Sequence, residues 1–213
     1  MTTDPEHDLA NELREVLRRF HDESAPPDKV QEATALARRM YEALEGEPRE
    51  PWFAQGLSDD RHQRRERIRA REHALFRGRS NPMAPPIVSQ VIRRDDGTEL
   101  VEGRVTVGRR YEGPPNGVHG GYVAGLFDDV LGAAQSLIDG PSGLTGTLHV
   151  RYRNVTPLDT ELTFRAWIDH VSGRRIKAQA TCHAGDVLTA EAEALFVRVD
   201  MKAMARRARK SDG

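Results

Sequence analysis

Apolar positions divide the chain into a part with a helical period and a part that alternates. In the first part Leu9, Leu13, Val16, Leu17 and Phe20 recur at helical spacing and lay one apolar stripe along a helix. Ser24-Ala25-Pro26-Pro27-Asp28 breaks that helix. A second stripe then runs through Val30, Ala33, Leu36, Ala37, Met40 and Leu44, and Gly46 and Pro48 end it. Each stripe needs a covering surface, so the pattern predicts two helices packed together or against the rest of the chain. From Asn81-Pro82-Met83-Ala84-Pro85-Pro86 onward the period changes to alternation. Ile87 to Arg94 and Glu99 to Val107 read as strands joined at Asp95-Asp96-Gly97-Thr98, whose Asp-Gly is a hairpin signal. In the second strand Val101, Gly103, Val105 and Val107 alternate with Glu102, Arg104 and Thr106, which predicts one buried face.

After a loop containing Gly113-Pro114-Pro115-Asn116-Gly117, a long helix is predicted from about His119 to Ile138. It is rich in small residues: Gly120, Gly121, Ala124, Gly125, Gly132, Ala133 and Ala134. A glycine inside a helix costs roughly 1 kcal/mol relative to alanine, so something should approach this helix closely. Asp139-Gly140-Pro141-Ser142-Gly143 breaks it, and four more alternating segments follow. Leu148, Val150 and Tyr152 share a face in the first, and Leu162, Phe164, Ala166 and Ile168 in the second. Ser172-Gly173 and Gly185-Asp186 turn the chain into the third and fourth, and Ala190, Ala192, Ala194 and Phe196 share a face in the last. The alanines on these inner faces and the small residues of the helix suggest an α+β fold in which an antiparallel sheet wraps closely round one long helix. The expected organisation is a charged helical N-terminal extension over residues 1–80, a sheet-and-helix domain over 81–200 and a basic, flexible tail over 201–213.

Composition narrows the function classes. The 213 residues are 31% charged and 38% hydrophobic, with a formal net charge of −1, which argues against a general nucleic-acid or membrane binder. Basic runs at Arg61-His62-Gln63-Arg64-Arg65-Glu66-Arg67-Ile68-Arg69-Ala70-Arg71 and Arg206-Arg207-Ala208-Arg209-Lys210 carry no aromatic-interleaved or groove-reading motif. No stretch reaches the ~18 to 20 apolar residues that span a bilayer, and the acidic first residues do not resemble a secretory leader, so a cytoplasmic protein is expected. The single cysteine, Cys182, lies on the apolar side of an alternating strand with Ile176, Ala178 and Ala180, which predicts a buried structural thiol. There is no Gly-x-Ser-x-Gly elbow, phosphate loop or cluster of metal ligands.

Two chemically useful groups share the long helix. Gly120 and Gly121 open it and can present bare backbone N–H groups to a developing negative charge, where the helix end is already electropositive. Asp128, further in, can serve as a base. At ~1.5 Å per residue the two lie ~12 Å apart, too far to serve one substrate from one helix. If both act, two chains cooperate. Asp129, next door, points elsewhere and reads as structural or solvent-facing.

The element order, with Val118-His119-Gly120-Gly121 opening the helix and Asp128 nine residues after the histidine, resembles the hotdog fold and, more narrowly, the PaaI-type acyl-CoA thioesterases. Leu148-His149-Val150-Arg151-Tyr152-Arg153-Asn154-Val155-Thr156-Pro157-Leu158 and the Gly173-Arg174-Arg175 turn add to the resemblance, which covers roughly residues 85 to 200. It implies hydrolysis of an acyl-CoA to a free acid and CoA by a homodimer or dimer of dimers, with no cofactor, metal or nucleic acid. In that scheme Gly120, with Gly121 nearby, holds the oxyanion, and Asp128 of the partner subunit activates water or attacks the carbonyl itself. Thr145 stands where the family often places a water-positioning hydroxyl. Asn116 and His119 would order the loop and contact the acyl carbonyl, and Arg153, Arg174 and Arg175 would meet CoA phosphates. Tyr122, Leu126, Phe127 and Trp167 are candidates to line the acyl tunnel. The chain departs from the pattern at Gly113, where some members carry an Asn or Gln. Two rivals remain: a hydratase or dehydratase pairing His119 with Asp128, and a dimer that binds acyl-CoA or lipid without turnover.

Overall fold

The computed structural model describes residues 4–49 and 71–200. Most of the basic run at 61–71 and the whole tail at 201–213 lie outside the described residues. Helix α1 spans Pro5–Asp22 and α2 spans Pro27–Ala43. Asp4 caps α1 by accepting the Glu6 N–H, Pro5 occupies its first turn, and Arg19 and His21 lie in its last turn, in line with the helix dipole.

The two stripes are covered less than their pattern requires. The buried face of α1 centres on Ala10 and Arg14, while Val16 and Phe20 further along the stripe are 61% and 76% exposed. No residue of α2 is buried. Burial of Arg14 has a local cause: its guanidinium meets a cluster of backbone carbonyls that need donors, and an apolar side chain could not satisfy them.

The remaining elements build one six-stranded antiparallel sheet round a helix. The strands are β1 (Val88–Arg93), β2 (Glu99–Thr106), β3 (Gly143–Tyr152), β4 (Glu161–Ser172), β5 (Arg175–Ala184) and β6 (Val187–Arg198). Their order is β1-β2-β4-β5-β6-β3, so β3 leaves the helix to dock beside β6 and forms one edge. Gly97, Gly173 and Gly185 take positive φ in the tight connections, which is why glycine occupies these turns. Register shifts between Thr145 and Thr147, leaving Gly146 as a bulge in β3.

Helix α3 (Gly120–Ala134) turns its large residues Val123, Leu126, Phe127, Val130 and Leu131 into the sheet. The alanines of β5 and β6 receive these bulky side chains, and the Phe127 and Phe164 rings meet edge-to-face at 5.1 Å. This differs from the expected match of small against small. The glycines of α3 occupy its other faces: a Cβ on Gly125 would lie 2.0 Å from Phe76 Cζ, whereas one on Gly132 would meet nothing within 4 Å. Cys182 is fully buried, and burial pushes its thiol up to about 11.

Candidate active site

The loop leading to α3 is fixed by its own backbone. His119 N–H donates to Tyr111 O at 2.7 Å, Val118 N–H to Thr156 O at 2.8 Å and Gly113 N–H to Gly117 O at 2.9 Å. Gly113, the departure from the family pattern, has a steric reason: a Cβ there would lie 2.7 Å from His119 Cα. Asn116 sits at φ +56 as a turn residue, with its N–H donating to Glu112 Oε1 and its carbonyl accepting the Leu158 N–H. Its backbone thus holds the loop shape.

His119 is the N-cap of α3, and its Nδ1 accepts the Gly121 N–H at 3.0 Å. The second glycine has therefore already given up the donor the sequence assigned to an oxyanion. Gly120 opens the helix, where the first N–H has no intrahelical acceptor. Its carbonyl accepts the Tyr152 hydroxyl at 2.7 Å, and a Cβ on Gly120 would stand 3.2 Å from that same oxygen. Tyr152 lies at the far end of β3. Sequence reasoning placed Tyr152 on the apolar face of its strand with Leu148 and Val150 and gave it no part in the site; only the glycine requirement at Gly120 hinted at a close neighbour.

At the other end of β3, Thr145 Oγ1 donates to Asp128 Oδ1 at 2.8 Å. The structure thus brings Thr145 and Asp128 together in one protomer, and it keeps Gly120 at the opposite end of the same strand. Asp129 turns away and is structural, not solvent-facing. Its carboxylate takes Arg77 Nε and Nη2 at 2.8–3.1 Å, and Arg77 Nη2 also donates to Asp129 O at 2.7 Å. Burial raises the Asp129 pKa from its ordinary value, against the pull of Arg77.

The three candidate arginines do not converge. Arg153 follows β3, where its N–H donates to Thr189 O and its side chain pairs with Glu191, holding that carboxyl below its usual range. Arg174 and Arg175 lie at the start of β5, and Arg174 Nε donates to Arg198 O. These two positions fall at opposite ends of β6, roughly 25 Å apart at strand rise. The tunnel candidates are likewise dispersed. Leu126 and Phe127 are fully buried against the sheet, Tyr122 packs on Tyr111 and Phe76, and Trp167 is on the outer face under Arg94. Trp167 there lines a hollow of about 440 Å³ with His149, Arg151, Gln179, Thr181, Glu191 and Glu193. That hollow lies across the sheet from α3, so it is separate from Gly120 and Asp128.

Comparison with known proteins agrees with this architecture. Residues 116–191 match the family model described as Thioesterase superfamily. Acyl-coenzyme A thioesterase THEM4 of Xenopus laevis is 32% identical over 90 residues, which cover 41% of this chain and 40% of that protein. Acyl-coenzyme A thioesterase THEM5 of Homo sapiens is 24% identical over 97 residues, covering 45% and 39%. The chain thus spans about two fifths of the length of these curated relatives. A solved thioesterase superfamily protein matches with a TM-score of 0.68 and 29% identity, covering 91% of this chain and 95% of its own. No helix among the described residues is long and apolar enough to cross a membrane. The match running from the loop before α3 into β6, and the likeness of the whole chain to that solved structure, show the hotdog fold and a sheet-and-helix part similar to the thioesterase superfamily.

Proposed function

We propose that this chain hydrolyses the thioester bond of an acyl-CoA in a homodimer whose sites span two subunits. The observation that carries the reading is the placement of the two ends of β3: Thr145 is bonded to Asp128 at one end, and Tyr152 to Gly120 at the other. β3 is an edge strand with unpaired backbone groups, a natural pairing surface. Antiparallel pairing of two β3 strands about a two-fold axis would set the Asp128 end of one against the Gly120 end of the other. That removes the ~12 Å separation on a single helix.

In this scheme the Gly120 N–H, at the positive end of α3, polarises the thioester carbonyl and stabilises the oxyanion. Asp128 of the opposing subunit takes a proton from water, and the water oxygen bonds to the carbonyl carbon. Thr145 holds the carboxylate through its hydroxyl. Collapse of the intermediate breaks the C–S bond, and the CoA thiolate leaves and takes up a proton. His119 acts as a cap: with Nδ1 accepting from Gly121, the neutral ring carries its proton on Nε2, which disfavours the hydratase alternative. The relatives named acyl-coenzyme A thioesterase support the choice of substrate class.

The test is thiol release from a panel of acyl-CoAs by the wild type, Asp128→Asn and Gly120→Pro. Proline is tolerated at the first helical position and removes that N–H, and His119 already has the extended ψ of 130 that a following proline requires. Because any Cβ there meets Tyr152 at 3.2 Å, Gly120→Ala, which adds the Cβ and keeps the N–H, is the control and should retain most of the activity. Asp128→Asn and Gly120→Pro are each expected to lose about a hundredfold or more. Mixed one to one, they form heterodimers with one intact site, restoring roughly a quarter of wild-type activity. Full activity in Asp128→Asn refutes the base, dead mixtures of folded parents refute the shared site, and no release from any acyl-CoA refutes the enzyme.

A further inference from the structure

Residues 72–84 and α1 lie outside the catalytic scheme, yet their contacts converge on the loop that presents Gly120. Arg14 of α1 is buried and has no carboxylate partner among the described residues. Its Nη2 donates to Gly78 O, Arg79 O and Asn81 O at 3.3, 2.7 and 2.9 Å, its Nε to Ala84 O at 3.2 Å and its Nη1 to Asn11 Oδ1 at 2.6 Å. The planar guanidinium is what lets one side chain gather four carbonyls of a single loop. Desolvation lowers the Arg14 pKa, a sign that the group is held where water would otherwise serve it.

The gathered loop then reaches α3 by two routes. Phe76 fills the space left by Gly125 and meets the Tyr122 ring edge-to-face at 6.0 Å. Met83 O accepts the Tyr111 hydroxyl at 3.3 Å, and the Tyr111 ring meets Tyr122 at 4.4 Å. Arg110 ties the same point back to α1: its Nη1 donates to Arg14 O at 3.1 Å, and its guanidinium lies 4.7 Å over the Tyr111 ring. Tyr111 is also the residue whose carbonyl takes the His119 N–H. One residue therefore joins the N-terminal segment to the cap that sets the first turn of α3.

We infer that Arg14 and Tyr111 are positioning residues that fix where the Gly120 N–H points, so the N-terminal segment tunes the oxyanion donor of its own subunit. The inference rests on the thioesterase reading above. A donor displaced by a fraction of an ångström stabilises the transition state less while leaving ground-state binding nearly unchanged. The effect should thus fall on kcat and spare KM, and it should depend on the Gly120 N–H being present.

The experiment measures kcat and KM for thiol release by the full chain on its best acyl-CoA. Four forms are compared: wild type, Tyr111→Phe, Gly120→Pro and the double variant. Arg14→Lys, which keeps the cation but loses the planar fork, is a second probe in both backgrounds. Tyr111→Phe deletes only the hydroxyl that reaches Met83 and keeps both ring contacts. Expected results are a fall of roughly five- to tenfold in kcat with KM within twofold for Tyr111→Phe and Arg14→Lys, and no further fall when either joins Gly120→Pro. Unchanged kcat in both single variants, or losses that persist in full in the Gly120→Pro background, overturns the inference while leaving the thioesterase reading intact. Full activity in Gly120→Pro overturns the oxyanion assignment itself and the positioning role with it.

Discussion

Replacing two glycines of the same helix by alanine should move stability in opposite directions. At Gly132 an added Cβ meets nothing within 4 Å among the described residues, so Gly132→Ala gains the helix preference of alanine, about 0.4–1 kcal/mol. At Gly125 the same methyl lies 2.0 Å from Phe76 Cζ and 2.8 Å from both Cε atoms. Carbon atoms in contact sit ~3.5–4.0 Å apart, so the ring must withdraw by ~1.5 Å. Its escape is restricted, because Tyr122 stands against the ring and Phe76 O is held by the Ile87 N–H at 2.9 Å. Overpacking of this kind costs about 1–3 kcal/mol, and the severity of the overlap puts Gly125→Ala at the upper end. After the helix gain the net loss is about 2 kcal/mol. The two variants should therefore differ by about 3 kcal/mol, or ~6–12 °C in Tm for a chain of this size. Urea unfolding followed by circular dichroism, at one fixed protein concentration, measures the difference. Adding Phe76→Leu to Gly125→Ala should recover part of the loss. Equal stability of the two alanine variants, or a Gly125→Ala more stable than wild type, would refute the claim that Phe76 dictates glycine at that position.

Two further outcomes test the site and the core. Thr145→Val removes the hydroxyl bonded to Asp128 and should lower kcat about tenfold with the fold intact; wild-type turnover would remove Thr145 from the site. Cys182 supplies an alkaline effect: its native thiol ionises at about 11, an unfolded one at ~8.5, so stability from this group is complete below ~8.5 and declines as pH rises through about 11. Denaturant titrations of wild type and Cys182→Ala between pH 7 and 10.5 should show the steeper decline only in wild type, and parallel curves would contradict it.

Strand positions were legible in the sequence because alternation of Val101, Val105, Leu162, Phe164, Ala192 and Ala194 with polar neighbours is a local signal, punctuated by glycines that adopt positive φ. Asp128 was reachable from its spacing after His119, and Thr145 from the family resemblance; their meeting within one protomer was not. The sheet order was not, since nothing local tells β3 to dock beside β6. Arg14 escaped notice for a related reason: a charged residue near an apolar stripe reads as solvated, and the four carbonyls that bury it come from residues more than sixty positions away. That Arg153 stands at the other end of β6 from Arg174 and Arg175 was not legible either, because composition carries no information about which end of a strand a residue occupies.

The bulge at Gly146 bears on a hazard common to sheet proteins. A flat ten-residue edge would accept any passing strand, including those of partly unfolded copies, and could seed open-ended stacking. One unpaired residue kinks β3 where Thr145 turns to Asp128, and Arg151 adds charge further along, so only a partner with the same kink can lie flush. Deleting Gly146 would straighten that edge and, for the dimer proposed above, trade a self-limiting pairing for a tendency to precipitate.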